Sequence, residues 1–305
     1  MQRFTNILYI NDPPANAKSA LQRAVQLARS NAAQLTIANL VVEFPLSMNR
    51  LQSTFRQLQD EQLRSLLDAL PSEGLDIKTR LLPGTPFLEI IKQVMREGHD
   101  LVIKPAEGRG GLTSMLFGST DLHLLRKCPC PVWIIKPAKR KKYARILAAV
   151  DPDPAERSNA ELNKLILDLA TSLAQRENSE LHIVHAWSMV YETALRSGRA
   201  NLPMSEIDRL VRDTRKSHKK WLQELLSQHD LQNIKAKIHL QKGDAGDVIP
   251  ALAQKKRIQL IVMGTVARTG IPGFIIGNTA EKTLAAVDCS VLAVKPKAFS
   301  TPVEG

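Results

Sequence analysis

The stretches LLPGTPFLEIIKQVMREGHDLVIKP (residues 81–105) and LQKGDAGDVIPALAQKKRIQLIVMG (residues 240–264) are one pattern written twice. Each leaves an apolar segment through a glycine, Gly84 or Gly243, enters a helix-like stretch and ends in a second apolar run. The repeat continues beyond them. Gly118 with Gly277, Cys130 with Cys289 and Lys136 with Lys295 share the 159-residue separation of Gly84 from Gly243. Earlier in the chain, RFTNILYIND (3–12) matches YARILAAVD (143–151), each closing an apolar run on an aspartate, Asp12 or Asp151. That pair is offset by only 139 residues, so the second copy carries about twenty more residues in its middle, at the unmatched stretch near 188–215. The two copies meet in a linker near 138–143, which predicts domains over 1–138 and 143–305.

Within each copy strand-like and helix-like segments alternate. In the second, ARILAAV, ELHIVHAW, AKIHLQ, QLIVMG and SVLAVKP read as strands. SNAELNKLILDLATSLAQRE, the amphipathic stretch 205–228, DAGDVIPALAQKK and NTAEKTLAAV read as helices. Unbroken apolar runs such as LIVM and VLAV belong to strands covered on both faces, hence to a parallel sheet. The expected fold is a doubly wound α/β domain occurring twice.

Composition narrows the function. The 305 residues, 44% hydrophobic, suffice for two cores, and no run of 18 uncharged apolar residues is present. With no signal-peptide pattern in MQRFTNILYI, a cytoplasmic location and no membrane partner are expected. Three cysteines without a CxxC pair read as reduced thiols. The net charge of +12 concentrates in KPAKRKKYAR (136–145) and RDTRKSHKK (212–220). The first reads as a solvated linker and the second as the polar side of a helix, while aromatics at 4% are few for a stacking platform. Nucleic acid is therefore not expected as a partner. His182 and His185, three apart on a strand, face opposite sides, which argues against one shared metal ion.

Ligands of doubly wound sheets sit outside the carboxyl ends of the strands. Two such ends are chemically distinctive here, Val150 to Asp151 and Met263 to Gly264. Beyond Gly264 a loop leads to Gly277, and Asn278-Thr279-Ala280-Glu281 has the N-cap and N3 residues of a capping box. Open backbone N–H groups and the positive end of the helix dipole make this an anion or nucleotide site, to which Arg268 adds charge. The alternative is that Gly264 and Gly277 serve only a tight turn and close helix packing. Neither GxxxxGK[ST] nor a GxGxxG after a first strand occurs.

The spacing Gly264, two residues, Ala267, nine residues, Gly277-Asn278, with GTVARTGI, FIIGNTAE, LLRKCPCPVWIIKP and a TPVE ending, resembles the tandem-domain type of the universal stress protein family. The resemblance spans essentially the whole chain. It implies an adenine nucleotide alpha hydrolase-like sheet of strand order 3-2-1-4-5, ATP or another adenine nucleotide in its crevice, and a role in surviving stress such as DNA damage. In a phosphoryl-transfer reading, Asp151 is the residue to hold Mg²⁺ through water. Carried over, Asp151 lies near the ribose or adenine, Val184 to Ala186 border the base, and Gly264, Gly277, Asn278 and Thr279 contact phosphates. Ala267 departs from the family's second glycine. In the first copy Pro105 replaces the leading glycine and Glu107 adds negative charge, although Asp12 and Arg109 remain, so the first copy is expected to be degenerate. The resemblance also implies an intramolecular pseudo-dimer through the final strands PVWIIKP and SVLAVKP, with a homodimer as a further option. The inserted segment is long enough for a lid or an apolar cavity. Two further readings stay open: a basic scaffold without nucleotide function, and a slow ATPase.

Overall fold

The computed structural model describes residues 4–11, 17–41, 49–68, 74–107, 117–136, 142–155, 158–197, 201–265 and 277–304. The first copy contains β1 (Asn6–Asn11), α1 (Ala17–Asn31), β2 (Gln34–Val41), α2 (Asn49–Asp68), β3 (Ile77–Pro83), α3 (Pro86–Glu97), β4 (Leu101–Pro105), α4 (Ser119–Lys127) and β5 (Val132–Ile135). The second contains β6 (Arg145–Ala149), α5 (Ser158–Glu177), β7 (Glu180–Trp187), α6 (Glu192–Arg196), α7 (Met204–Leu226), β8 (Lys235–Lys242), α8 (Ala245–Lys256), β9 (Leu260–Gly264), α9 (Asn278–Ala286) and β10 (Ser290–Val294).

The described residues form two compact units, one holding β1 to β5 together with β10, the other holding β6 to β9. In the first unit the strand order is β3-β2-β1-β4-β5, all parallel, with Ile7 opposite both Leu35 and Leu101. This is the expected 3-2-1-4-5 arrangement. β10 extends the sheet antiparallel to β5, with Leu292 opposite Trp133. The Ser290 hydroxyl accepts the Lys136 N–H at 3.1 Å beside it. In the second unit the order β8-β7-β6-β9 is parallel throughout, with Ile146 opposite both Leu181 and Leu260. The fifth strand of the second repeat thus sits in the compact unit of the first, where its backbone groups complete a ladder that β5 would otherwise leave open.

Central strands read as continuous apolar runs because both faces are covered: Ile7, Leu8, Tyr9 and Ile10 of β1, and Leu260, Ile261 and Val262 of β9, are all buried. Gly84 and Gly243, paired by the repeat, adopt φ of 115° and 142° at equivalent strand-to-helix turns, where a β-carbon is strained. The helices after them start differently. Thr85 caps α3 with proline at its first turn, whereas the Asp244 side chain accepts the Gly246 N–H at 3.0 Å to cap α8. Among the described residues, no helix is long and apolar enough to cross a membrane.

Candidate functional site

β6, β7 and β9 end side by side, and each end contributes a backbone feature fixed by its neighbours. At β6 the buried Asn163 of α5 clamps the first loop residue: its Oδ1 accepts the Asp151 N–H at 2.9 Å and its Nδ2 donates to the Asp151 carbonyl at 2.6 Å. The Asp151 side chain, partly exposed, lies 3.9 Å from His185 Nδ1. His185 comes from β7, contacts the Val150 carbonyl at 3.3 Å through that same nitrogen, and meets His218 of α7 at 2.8 Å through Nε2. Trp187 and Trp221 flank the His218 ring. Burial pushes the His218 pKa below the ordinary histidine value, with Asp153 and Asp151 opposing.

The expected base-bordering residues split. Val184 is buried and its carbonyl accepts the Val150 N–H at 3.0 Å, while Ala186 is half-buried. His182, on the opposite face from His185, bonds His239 Nε2 at 2.9 Å and Glu180 Oε1 at 2.6 Å. The two histidines thus belong to separate clusters. No group of three or more His, Cys, Asp or Glu side chains is arranged to hold a metal ion among the described residues.

At the end of β9, a β-carbon added to Gly264 would stand 2.8 Å from Leu162 Cδ2, so the close approach of α5 favours glycine there unless the Leu162 side chain shifts. Arg268 lies outside the described residues, as do Arg109 and Asp12. Gly277 is the N-cap of α9, one residue earlier than the capping-box reading placed it, and no side-chain cap bond forms. The Gly277 N–H donates to the Thr265 carbonyl at 3.2 Å, and its own carbonyl accepts the Glu281 N–H. Asn278, Thr279 and Ala280 therefore occupy the first helical turn, whose N–H groups have no carbonyl behind them within the helix. Asn278 is exposed, Thr279 half-buried and Ala280 buried.

The first copy treats the same turn differently. Gly118 caps α4, and Asp121, fully buried, accepts the N–H groups of Gly118 at 3.3 Å and Glu107 at 2.9 Å. Lys104, also fully buried, places Nζ 3.1 Å from Asp121 Oδ1 and donates to the Pro105 carbonyl at 3.1 Å. Burial pushes the Asp121 carboxyl up, and the Lys104 charge opposes that. The Glu107 carboxylate fills the space where a Gly118 β-carbon would project. The helix terminus of this copy is thus occupied by its own chain. In the second copy Met263 and Ala280 hold the positions of Lys104 and Asp121.

The universal stress protein family profile matches residues 3–136 and again 142–295. The chain belongs to the universal stress protein family. Universal stress protein E of Escherichia coli (strain K12) is 30% identical over 321 residues, covering 100% of this chain and 98% of that protein. A Haemophilus influenzae homologue of universal stress protein E is 28% identical, covering 96% and 98%. Among solved structures, one from Pseudomonas aeruginosa PAO1 is similar with a TM-score of 0.70 at 28% identity, covering 97% of this chain and 94% of that chain. A universal stress protein from Archaeoglobus fulgidus shares the fold with a TM-score of 0.61 at 18% identity, covering 95% and 98%.

The sequence pointed to Asp151 and the Gly264 to Thr279 region but missed the roles of three residues gathered around Asp151. Asn163 was detectable as a polar residue on the apolar side of the 158–177 helix. His185 and His218 are far apart in sequence, and only the packing of α7 against β7 joins them. The inserted segment forms α6, tied to β8 through Glu192 and Lys242 at 2.7 Å and to α7 through Arg196 and Asp208 at 2.7 Å.

Proposed function

We propose that this tandem universal stress protein binds an adenine nucleotide, ATP or a close relative, at its C-terminal copy, and that the copies over 1–138 and 143–305 have divided roles. The observation that carries the reading is the contrast between the two helix termini. Asp121 and Glu107 close the first, whereas Ala280 supplies no carboxylate at the second. A terminus with open N–H groups and a positive dipole end suits phosphate.

Asn278 and Thr279 hold the phosphates in this reading, with Arg268 as an added cation. Asp151, oriented by the Asn163 clamp, accepts from ribose hydroxyls, and Ala186 borders the base. Mg²⁺, when bound, neutralises phosphate charge in the company of Asp151. Binding serves a cytoplasmic response to stress such as DNA damage, in keeping with the family.

Thermal unfolding with and without ATP, alongside salt-dependent DNA binding, tests this against the basic-scaffold reading. A rise in the transition with ATP supports nucleotide binding. DNA binding that weakens with salt and no response to ATP favours the scaffold. The basic face of α7 already engages local ion pairs, Lys216 with Asp213 and Lys220 with Glu224, as a solvated helix does.

A further inference from the structure

The C-terminal end of α4 holds a second cluster of ionisable groups, at the opposite end of that helix from the Gly118 turn. Cys128 and Cys130 are buried and free, with Sγ atoms 3.6 Å apart. Lys295, just past β10, is buried in the same place, donating from Nζ to the Leu125 carbonyl at 3.1 Å and lying 5.1 Å over the Phe299 ring. Burial lowers its pKa to about 8, and the two thiols act to raise it. A buried ammonium needs a counter-charge, and the ionisable groups that act on this one are the thiols.

The thiols are not equivalent. Burial pushes Cys128 up, but the hydrogen bond with Cys130 and the Lys295 charge outweigh it and leave Cys128 below the ordinary thiol value. Cys130 is pushed up by that same hydrogen bond and by burial, with Asp100 adding to it. One sulfur is thus set up as a nucleophile beside a cation and the other as a protonated partner in reach, the arrangement of an attacking and a resolving thiol. The second copy cannot form this pair: Cys289 repeats Cys130, but Val287 stands where Cys128 stands.

We propose that Cys128 and Cys130 are a peroxide-oxidisable dithiol, with the Lys295 ammonium as counter-ion to the attacking thiolate. The Cys128 thiolate attacks a hydroperoxide oxygen, the O–O bond breaks, and the departing hydroxide or alkoxide takes a proton from Lys295. This leaves Cys128 as a sulfenic acid and Lys295 as a neutral amine. The Cys130 sulfur then attacks the Cys128 sulfur, the S–O bond breaks, and the leaving hydroxide takes the Cys130 proton as water. Two thiols lose two electrons and the peroxide gains them. Disulfide formation brings the sulfurs from 3.6 Å to about 2.05 Å.

The test is differential alkylation and peptide mass mapping of the full-length folded protein treated with hydrogen peroxide. The expected product has a Cys128–Cys130 disulfide, about 2 Da lighter, with Cys289 still alkylatable after denaturation. Cys130→Ser should stop at a sulfenic acid trapped by dimedone, and Cys128→Ser should not react. Lys295→Met should slow oxidation about tenfold near neutral pH while Lys295→Arg retains most of the rate. If Lys295→Met fails to unfold cooperatively, the pH profile of wild-type Cys128 alkylation decides. A half-maximal rate below about pH 8.5 supports the proposal, and one at or above it counts against. Three thiols unchanged after treatment, over-oxidation without a disulfide, or a disulfide through Cys289 overturns it.

Discussion

The Lys104 ammonium lies 3.1 Å from the Asp121 carboxylate with both side chains fully buried, and one repeat further on the same two positions are Met263 and Ala280. A buried charge pair in one copy has become, or has come from, an apolar pair in the other. Half of the exchange is unfavourable alone, because it strands a charge inside the protein. Both positions differ between the two copies, and the helix terminus beside them differs in character with them.

Lys104→Met alone should destabilise the first unit by about 3–5 kcal/mol, since it leaves Asp121 buried without its cation. Lys104→Met with Asp121→Ala should recover most of that loss. Urea unfolding of the single and double variants measures the coupling. Equal losses in both would show that the pair is not the unit of the exchange.

Gly264→Ala should cost about 1–3 kcal/mol, because the new methyl group meets Leu162 Cδ2 at 2.8 Å in a packed site. Adding Leu162→Ala should relieve the overlap, so the second substitution costs less in the Gly264→Ala background than in the wild type. Additive losses would place the strain elsewhere.

Asn163→Ala removes both bonds that hold the Asp151 backbone and should weaken ATP binding by about tenfold, as well as costing about 1–3 kcal/mol of stability. Titration calorimetry gives the first number and urea unfolding the second. Unchanged affinity in a folded variant would remove Asp151 from the site.

Stability should fall as the solution is acidified from about pH 6.5. Burial lowers the pKa of His99, His123, His182, His218 and His239. Above the unfolded histidine value both states are neutral and nothing changes. Below it the unfolded chain gains protons that the folded chain refuses, so unfolding becomes easier until the folded pKa values are reached. Glu180 and Glu192 sit below the ordinary carboxylate value, chiefly through hydrogen bonds from Lys237 and Lys242, and extend the loss below about pH 4.5. Urea midpoints at pH 7.5, 6.0 and 5.0 report this, and a constant midpoint from 7.5 to 5.0 would contradict it.

The fold was legible because its signals are local and repeated. The 158–177 helix and the 180–187 strand emerge at the residues read from their apolar periodicity, and Gly84 and Gly243, paired by the repeat, occupy equivalent turns. What stayed hidden depends on side chains meeting across the fold. Nothing in the spacing of Lys104 and Asp121 announces an ion pair until α4 is laid beside β4. The Glu107 side chain over Gly118 and the His185–His218 contact are likewise tertiary facts. The α9 cap moved by one residue because Asn278, a favourable N-cap by type, sits inside the first turn while the extended Gly277 backbone ends the loop.

The central claim is that one copy of this universal stress protein takes a nucleotide and the other is closed by its own carboxylates. Titration calorimetry of the full chain with ATP tests it most directly, run on the wild type and on Gly277→Glu, which sets a carboxylate at the α9 terminus. The account predicts one nucleotide per chain for the wild type and none for the variant. Two equivalents per chain, or one that persists in Gly277→Glu, would contradict it.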